Sequence, residues 1–226
     1  NSARSGEYQV VQLVNGDYVY LSGQLRSFDT YETNVRAVKH ENKTITIDGI
    51  KLTSAPESIM NNWRFGLIVI NGAFKPLVSN IHITDIHGPA FSMVGCYAYR
   101  MDNIMGHNLT NNPANVQYGY GITDKASEYG VLTNLHFENV RHGFTTNGND
   151  VTAGSDTFWR YGRPAYFTVA NSTAIGTTNA AYDTHEESYS GLFTNCTGRG
   201  SVQGNSSSGS GFKCRGKNLT YEGCRV

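Results

Sequence analysis

The sequence predicts an all-β chain wound as a parallel β-helix, and three observations carry that prediction. The 226 residues include 25 Gly and 14 Tyr but only 5 Pro, with frequent Asn and little Leu, Glu or Lys. Polar, β-branched and aromatic residues among many Gly and Asn describe short strands joined by turns. A phrase of the form apolar-x-apolar-x-(Asn/Asp/Gly)-apolar recurs along the chain, and its alternation marks short strands with one buried face. The phrase returns at irregular intervals, as expected for stacked circuits of two or three strands with loops of variable length.

The elements follow in order. "VQLVNGDYVYL" carries Asn15-Gly16 between alternating runs, a hairpin turn signal. "TITIDGIKL" ends a strand at Gly49, and "NIHITDIHG" bends at Asp85. "NIMGHNLTN" bends at Asn108, "NLHFENVRHG" at Asn139 and "YFTVANSTA" at Asn171. "GLFTNCTGRG" bends at Asn195 and "NLTYEGCRV" at Gly223. Between these anchors the spacings are 36, 23, 31, 32, 24 and 28 residues, and we read about seven rungs. Asn and Asp suit such bends because they tolerate left-handed backbone angles and bond locally to the chain. A β-sandwich calls for more hairpins than the sequence offers, and a propeller for a more regular period.

The ruler yields packing expectations. Ile47, Ile83, Phe137, Val169, Phe193 and Tyr221 should form one inward column. Cys196 and Cys224 directly follow their anchors, so they should be equivalent, buried and reduced. We read residues 1–226 as one domain, with 1–42 supplying the first strands and 43–226 the rungs. The last phrase stops at its bend with no cap, and we read the chain as part of a longer protein.

Eighteen basic and eighteen acidic residues cancel, so no overall basic excess points to nucleic acid. No apolar run is long enough to insert in a membrane as a helix, and "NSARSGEYQV" lacks a signal-peptide core. The four cysteines show no CxxC spacing, and neither a metal nor a cofactor is called for.

Only 16% of residues are charged, yet "AYDTHEE" gathers Asp183, His185, Glu186 and Glu187. Counting back from Asn195 and Gly223 sets His185 beside Lys213 and Glu187 beside Arg215. Parity turns Asp183, His185 and Glu187 outward with Lys213 and Arg215, while Phe212, Cys214 and Glu186 face inward. One rung earlier "VRHGFTT" adds Arg141 and His142. The insert "TAGSDTFWRYGRPAYF" adds Asp156, Trp159 and Arg160, aromatic and cationic groups suited to sugar rings and carboxylates. The plain alternatives are a surface ion pair, a turn histidine and a packed tryptophan.

At "VRHGFTT", "AYDTHEE" with "GLFTNC", and "GSGFKCRGKNLTYEGC", the chain resembles the pectate-lyase-like right-handed β-helix proteins. It is particularly similar to the enzymatic shafts of bacteriophage tailspikes and related polysaccharide depolymerases, over roughly Lys43 to Val226. The resemblance implies a single-stranded right-handed helix and a homotrimer, located on a virion tail or outside the cell. It also implies cleavage of a bacterial capsular, lipopolysaccharide or cell-wall glycan. The family includes both hydrolases and lyases.

Among these chemistries, three acids in the patch favour glycoside hydrolysis, with Asp183, His185, Glu187 and Glu186 as the catalytic set. Arg141, His142, Asp156, Trp159, Arg160, Lys213 and Arg215 are the substrate-binding set. Asp183 and Glu187 would stand about 13 Å apart on a straight strand, beyond the ~5–9.5 Å that hydrolysis uses, so a bend or a third carboxylate is required. Elimination on a uronate polymer would use His185 or Lys213 as base and Arg141 and Arg215 as clamps. A third possibility is a non-catalytic glycan-binding shaft.

Overall fold

The computed structural model describes residues 11–16, 18–21, 44–53, 66–111, 118–147, 163–200 and 209–226. These residues are all-β, with eighteen strands numbered along the chain. β1 (Val11–Asn15) and β2 (Tyr18–Leu21) form the antiparallel hairpin announced by Asn15-Gly16, with Gly16 at φ 58°.

Every other pairing is parallel. The ten-stranded sheet has a continuous path of seven strands. These are β3 (Thr46–Asp48), β6 (Leu77–His87), β8 (Arg100–Thr110), β10 (Val131–Glu138), β12 (Thr168–Ala170), β15 (Leu192–Thr194) and β18 (Thr220–Glu222). β4 (Lys51–Leu52), β13 (Thr173–Thr177) and β16 (Thr197–Gly200) extend its second half. The six-stranded sheet runs through β5 (Ile68–Asn71), β7 (Phe91–Val94), β9 (Tyr120–Lys125), β11 (His142–Asn147), β14 (Tyr182–Thr184) and β17 (Phe212–Cys214). Single bridges through Phe74, Tyr97, Glu128, Ala165, Tyr189 and Lys217 make a third parallel ladder. The chain meets the six-stranded sheet, this ladder and the ten-stranded sheet in turn, then repeats.

Most circuits bend twice within the ten-stranded sheet. The first bend falls at Asn80, Asn103, Asn134, Asn171 and Asn195, and the second at Asp85, Asn108 and Asn139, all with φ of 50–55°. Glycine takes the same conformation at Gly49, Gly176 and Gly223. The side chains also bond from circuit to circuit. Asn103 donates to Asn80 at 2.8 Å, Asn108 to Asp85 at 2.8 Å and Asn139 to Asn108 at 3.1 Å. The sequence anchors therefore mixed two columns, which share one residue preference because both need a left-handed backbone.

That mixture corrects the expected core column. Ile47, Val169, Phe193 and Tyr221 do share a column, together with Val78, Met101 and Leu132. Ile83 and Phe137 lie in a second inward column, with Gly106 and Ala174. Both columns face the same core. Phe137 needs glycine neighbours. A Cβ at Gly106 or Gly121 would fall within 2.7 Å or 2.5 Å of its ring.

The core changes character along the stack. Ile70, Ile83, Met101 and Ile104 fill the first circuits, and Phe144, Phe167, Phe193, Tyr182 and Phe212 the later ones. Phe193 stacks on Tyr221 at 5.0 Å and Tyr182 on Phe212 at 5.0 Å. All four cysteines are free. Cys196 and Cys224 occupy equivalent places beside the bridge from Thr197 to Arg225. Cys196 is buried, and burial pushes its thiol up to about 11, as an inert apolar side chain requires. Cys224 is only half-buried and Cys214 is exposed, contrary to expectation, because no further described strand pairs with β17 or β18.

Candidate functional site

The Asp183 region is built at the end of β14. Tyr182 points into the core, Asp183 to the opposite side and Thr184 inward again, the parity of a strand. The register pairs Asp183 with Lys213 and Thr184 with Cys214. The expected offset, His185 beside Lys213 and Glu187 beside Arg215, is wrong by two residues. The cause is a turn at Glu186–Glu187, closed by the Ser188 N–H donating to the His185 carbonyl at 3.0 Å. That turn adds two residues between β14 and the bridge at Tyr189. It also carries Glu186 out to solvent, where its side chain is 70% exposed, rather than inward.

The register brings Arg215 to Asp183. Arg215 Nη2 donates to both Asp183 oxygens at 2.9 Å, and Nη1 lies 3.4 Å from Glu186 Oε1. Asp183 is only 3% exposed, so this is a charge pair largely withdrawn from water. Thr184 fixes the strand below it, accepting the Arg215 N–H at 3.1 Å and donating to the Lys213 carbonyl at 3.2 Å. Thr146 on β11 accepts the His185 N–H at 2.9 Å, and its hydroxyl meets the Ser188 hydroxyl at 2.5 Å. The turn is pinned from both sides.

Two histidines flank the carboxylate. His142 Nε2 lies 3.6 Å and His185 Nε2 3.8 Å from Asp183 Oδ2. His142 is buried, with Nδ1 on the Ala180 carbonyl, and burial depresses its imidazole to about 4. That carbonyl fixes the tautomer with the proton on Nδ1. His185 is partly exposed. Burial, then the nearby Arg215 cation, lower its pKa, so it is a neutral base near pH 7. Glu186 is lowered chiefly by a hydrogen bond to its own backbone, with Arg215 adding to the effect. One ligand-type atom from each of His185, Glu186 and Glu187 lies within 4.8 Å of the others.

The Arg141 guanidinium lies 5.1 Å over the Tyr118 ring. Tyr118 stacks with Tyr120 at 5.7 Å, and Tyr120 with His142 at 5.1 Å. This aromatic shelf was missed by the sequence analysis. Its signal was present: "YGYG" places Tyr118 just before β9 and Tyr120 at its start, one circuit before "VRHGF" on β11 in the stack. Lys213 is exposed beside Asp183. Asp156, Trp159 and Arg160, assigned to the substrate-binding set, lie outside the described residues.

No family model matches the chain. Among solved structures, a chain described as "Crystal structure of Agl-KA catalytic domain" aligns at 12% identity and a TM-score of 0.27. The alignment covers 70% of this chain and 42% of that one, a likeness too slight to carry fold or activity across.

Proposed function

We propose that this chain is a glycoside hydrolase that depolymerises a bacterial surface glycan, with the Glu186–Glu187 turn as its working site. One observation carries the reading. Two carboxylates and a neutral imidazole converge within 4.8 Å on an outward turn, and half-buried Arg215, held by buried Asp183, braces that turn from below. Glycoside hydrolysis uses two carboxyl groups, about 5–5.5 Å apart in retaining enzymes and ~6.5–9.5 Å in inverting ones. One oxygen of each carboxyl lies within 4.8 Å of the other, closer than the inverting separation.

In this reading Asp183 is a positioning residue. It is too enclosed to meet a polymer, but it holds Arg215, which in turn holds Glu186. His142 packs against the far side of the same carboxylate with its unprotonated Nε2, 3.6 Å from Oδ2. The winding that supports the site is, in our proposal, a closed right-handed single-stranded parallel β-helix in one domain, since parallel crossovers are right-handed in the great majority of cases. A homotrimer on a virion tail or outside the cell belongs to the same proposal.

Arg215 disfavours the elimination alternative, because both its outer nitrogens are already engaged by Asp183 and Glu186. A panel of bacterial capsular glycans, followed for reducing ends and for absorbance at 235 nm, tests the reading. New reducing ends without unsaturation support hydrolysis. Unsaturated product would establish a lyase, and tight binding without either product a glycan-binding shaft. Glu186→Gln and Glu187→Gln should each lower the rate roughly 10²–10⁴-fold, as loss of an acid or base does, with the fold intact. Arg215→Lys should retain part of the rate that Arg215→Ala loses, because a lysine keeps the charge but not the two-sided grip.

A further inference from the structure

Three histidines stand on the outer face of the ten-stranded sheet, away from the Asp183 site. They lie at outward positions of three successive strands: His82 on β6, His107 on β8 and His136 on β10. The register pairs His107 with Glu138, and His82 and His136 both with Met105, so the three imidazoles form a zigzag across adjacent strands. The His82 and His107 ring centroids are 5.6 Å apart, as are those of His107 and His136. His107 Nδ1 lies 3.3 Å from Glu138 Oε2.

We propose that His107, His136 and Glu138 hold a divalent cation of the zinc type, with His82 as the fourth ligand. One donor atom from each of the first three lies within 4.8 Å of the others. Modest side-chain rotation closes those gaps to the ~3.3 Å between ligands that tetrahedral bonds of about 2.0–2.1 Å require. His82 supplies a second, independent observation. Its Nε2 is shut off from solvent and has no hydrogen-bond partner. A buried ring nitrogen without a partner is costly, and a metal bond would satisfy it.

Imidazole with one carboxylate is a borderline donor set, suited to zinc rather than to calcium or magnesium, which take oxygen ligands. Four protein ligands make a closed, structural site. Because those ligands come from β6, β8 and β10, the ion would cross-link three strands that the backbone joins only through hydrogen bonds. It is a staple across the stack, separate from glycan chemistry on the other sheet.

Calorimetric titration of the full chain with Zn²⁺ near pH 7.5 tests this, with circular dichroism confirming that each variant is folded. One Zn²⁺ should bind, raise the melting temperature, and bind less well on acidification as protons compete for the ring nitrogens. Co²⁺ in its place should give the intense visible absorption of a four-coordinate site. His136→Ala and Glu138→Gln should each weaken Zn²⁺ binding at least about 10–100-fold, since even outer-shell changes cost that much. His82→Ala should weaken it and shift the four-coordinate Co²⁺ spectrum, as water takes the place of the imidazole. The second cluster, at His185, provides the control. Loss of binding in His185→Ala but not in His136→Ala would overturn the assignment, as would no Zn²⁺ binding to the wild-type chain. The bare His107–Glu138 ion pair predicts that second result.

Discussion

At the residue scale, two buried ionisable groups set opposite pH dependences. His142 has its imidazole depressed to about 4 by burial, against an ordinary value of 6.5. Between those values the unfolded chain binds the proton that the folded chain refuses, so stability is lost as pH falls through this window. Asp124 is enclosed in the core, accepting the Tyr99 hydroxyl at 2.8 Å and the Ser127 N–H at 3.0 Å. Burial raises its carboxyl from 3.8 to about 7. Here the folded chain keeps the proton, so stability is lost as pH rises through about 4 to 7. The two effects oppose each other, on the order of 3 kcal/mol for His142 and 4 kcal/mol for Asp124 at full extent. We expect Asp124 to offset part of the climb with pH between 4.5 and 6.5 that His142 sets and that the lowered pKa values of His185 and His82 also favour. Asp124→Asn should unmask the histidine and make stability climb steeply with pH, whereas His142→Gln should make it fall. Urea denaturation at the two pH values checks both. An unchanged slope in Asp124→Asn would refute the offset.

At the element scale, the bends are asparagine ladders. Asn108 sits mid-ladder at φ 55°, donating to Asp85 and accepting from Asn139. Alanine there would lose both bonds and incur the left-handed penalty, while glycine would lose only the bonds. Asn108→Ala should cost about 2–3 kcal/mol and Asn108→Gly about 1 kcal/mol, read from denaturation midpoints. Equal costs would mean that the backbone conformation is not what selects asparagine. Packing between elements is equally tight at Gly143 on β11, where a Cβ would lie 2.6 Å from that of Ala174. Gly143→Ala should therefore destabilise by about 1–3 kcal/mol through overpacking.

At the scale of the whole molecule, each circuit is held mainly by its neighbours. β8 is paired along its length on both sides, by β6 and β10, while β3 and β18 each end the path among the described strands. Stability in such stacks is approximately a sum of neighbour terms, so it should decline toward the ends. Hydrogen exchange followed by mass spectrometry should show the slowest amides in β8 and β10 and the fastest in β3 and β18. Uniform protection would indicate a single cooperative unit. Zinc, if bound as proposed, should slow exchange in β6, β8 and β10 and leave β14 and β17 unchanged.

The sequence by itself determined the strand class, the inward alternation and the asparagine bends, because each is a local property of a pleated chain with one buried face. It also located the ionisable cluster, since five neighbouring residues hold four ionisable groups. It could not separate the two asparagine columns, which demand the same backbone angles. Nor could it reveal the third corner, where Lys75, Ala98, Tyr129, Tyr166 and Ser190 all take φ of 51–57°. No residue preference marks that corner. There the N–H of each bonds to a carbonyl one circuit on, at 2.7–3.0 Å, and these tertiary bonds override the local preference. The same holds for the site. Only the stacking showed that Glu186–Glu187 is an inserted turn, and so that Arg215 meets Asp183. A register is a relation between distant segments, and a two-residue insertion shifts every partner across the ladder while leaving each strand's own pattern unchanged.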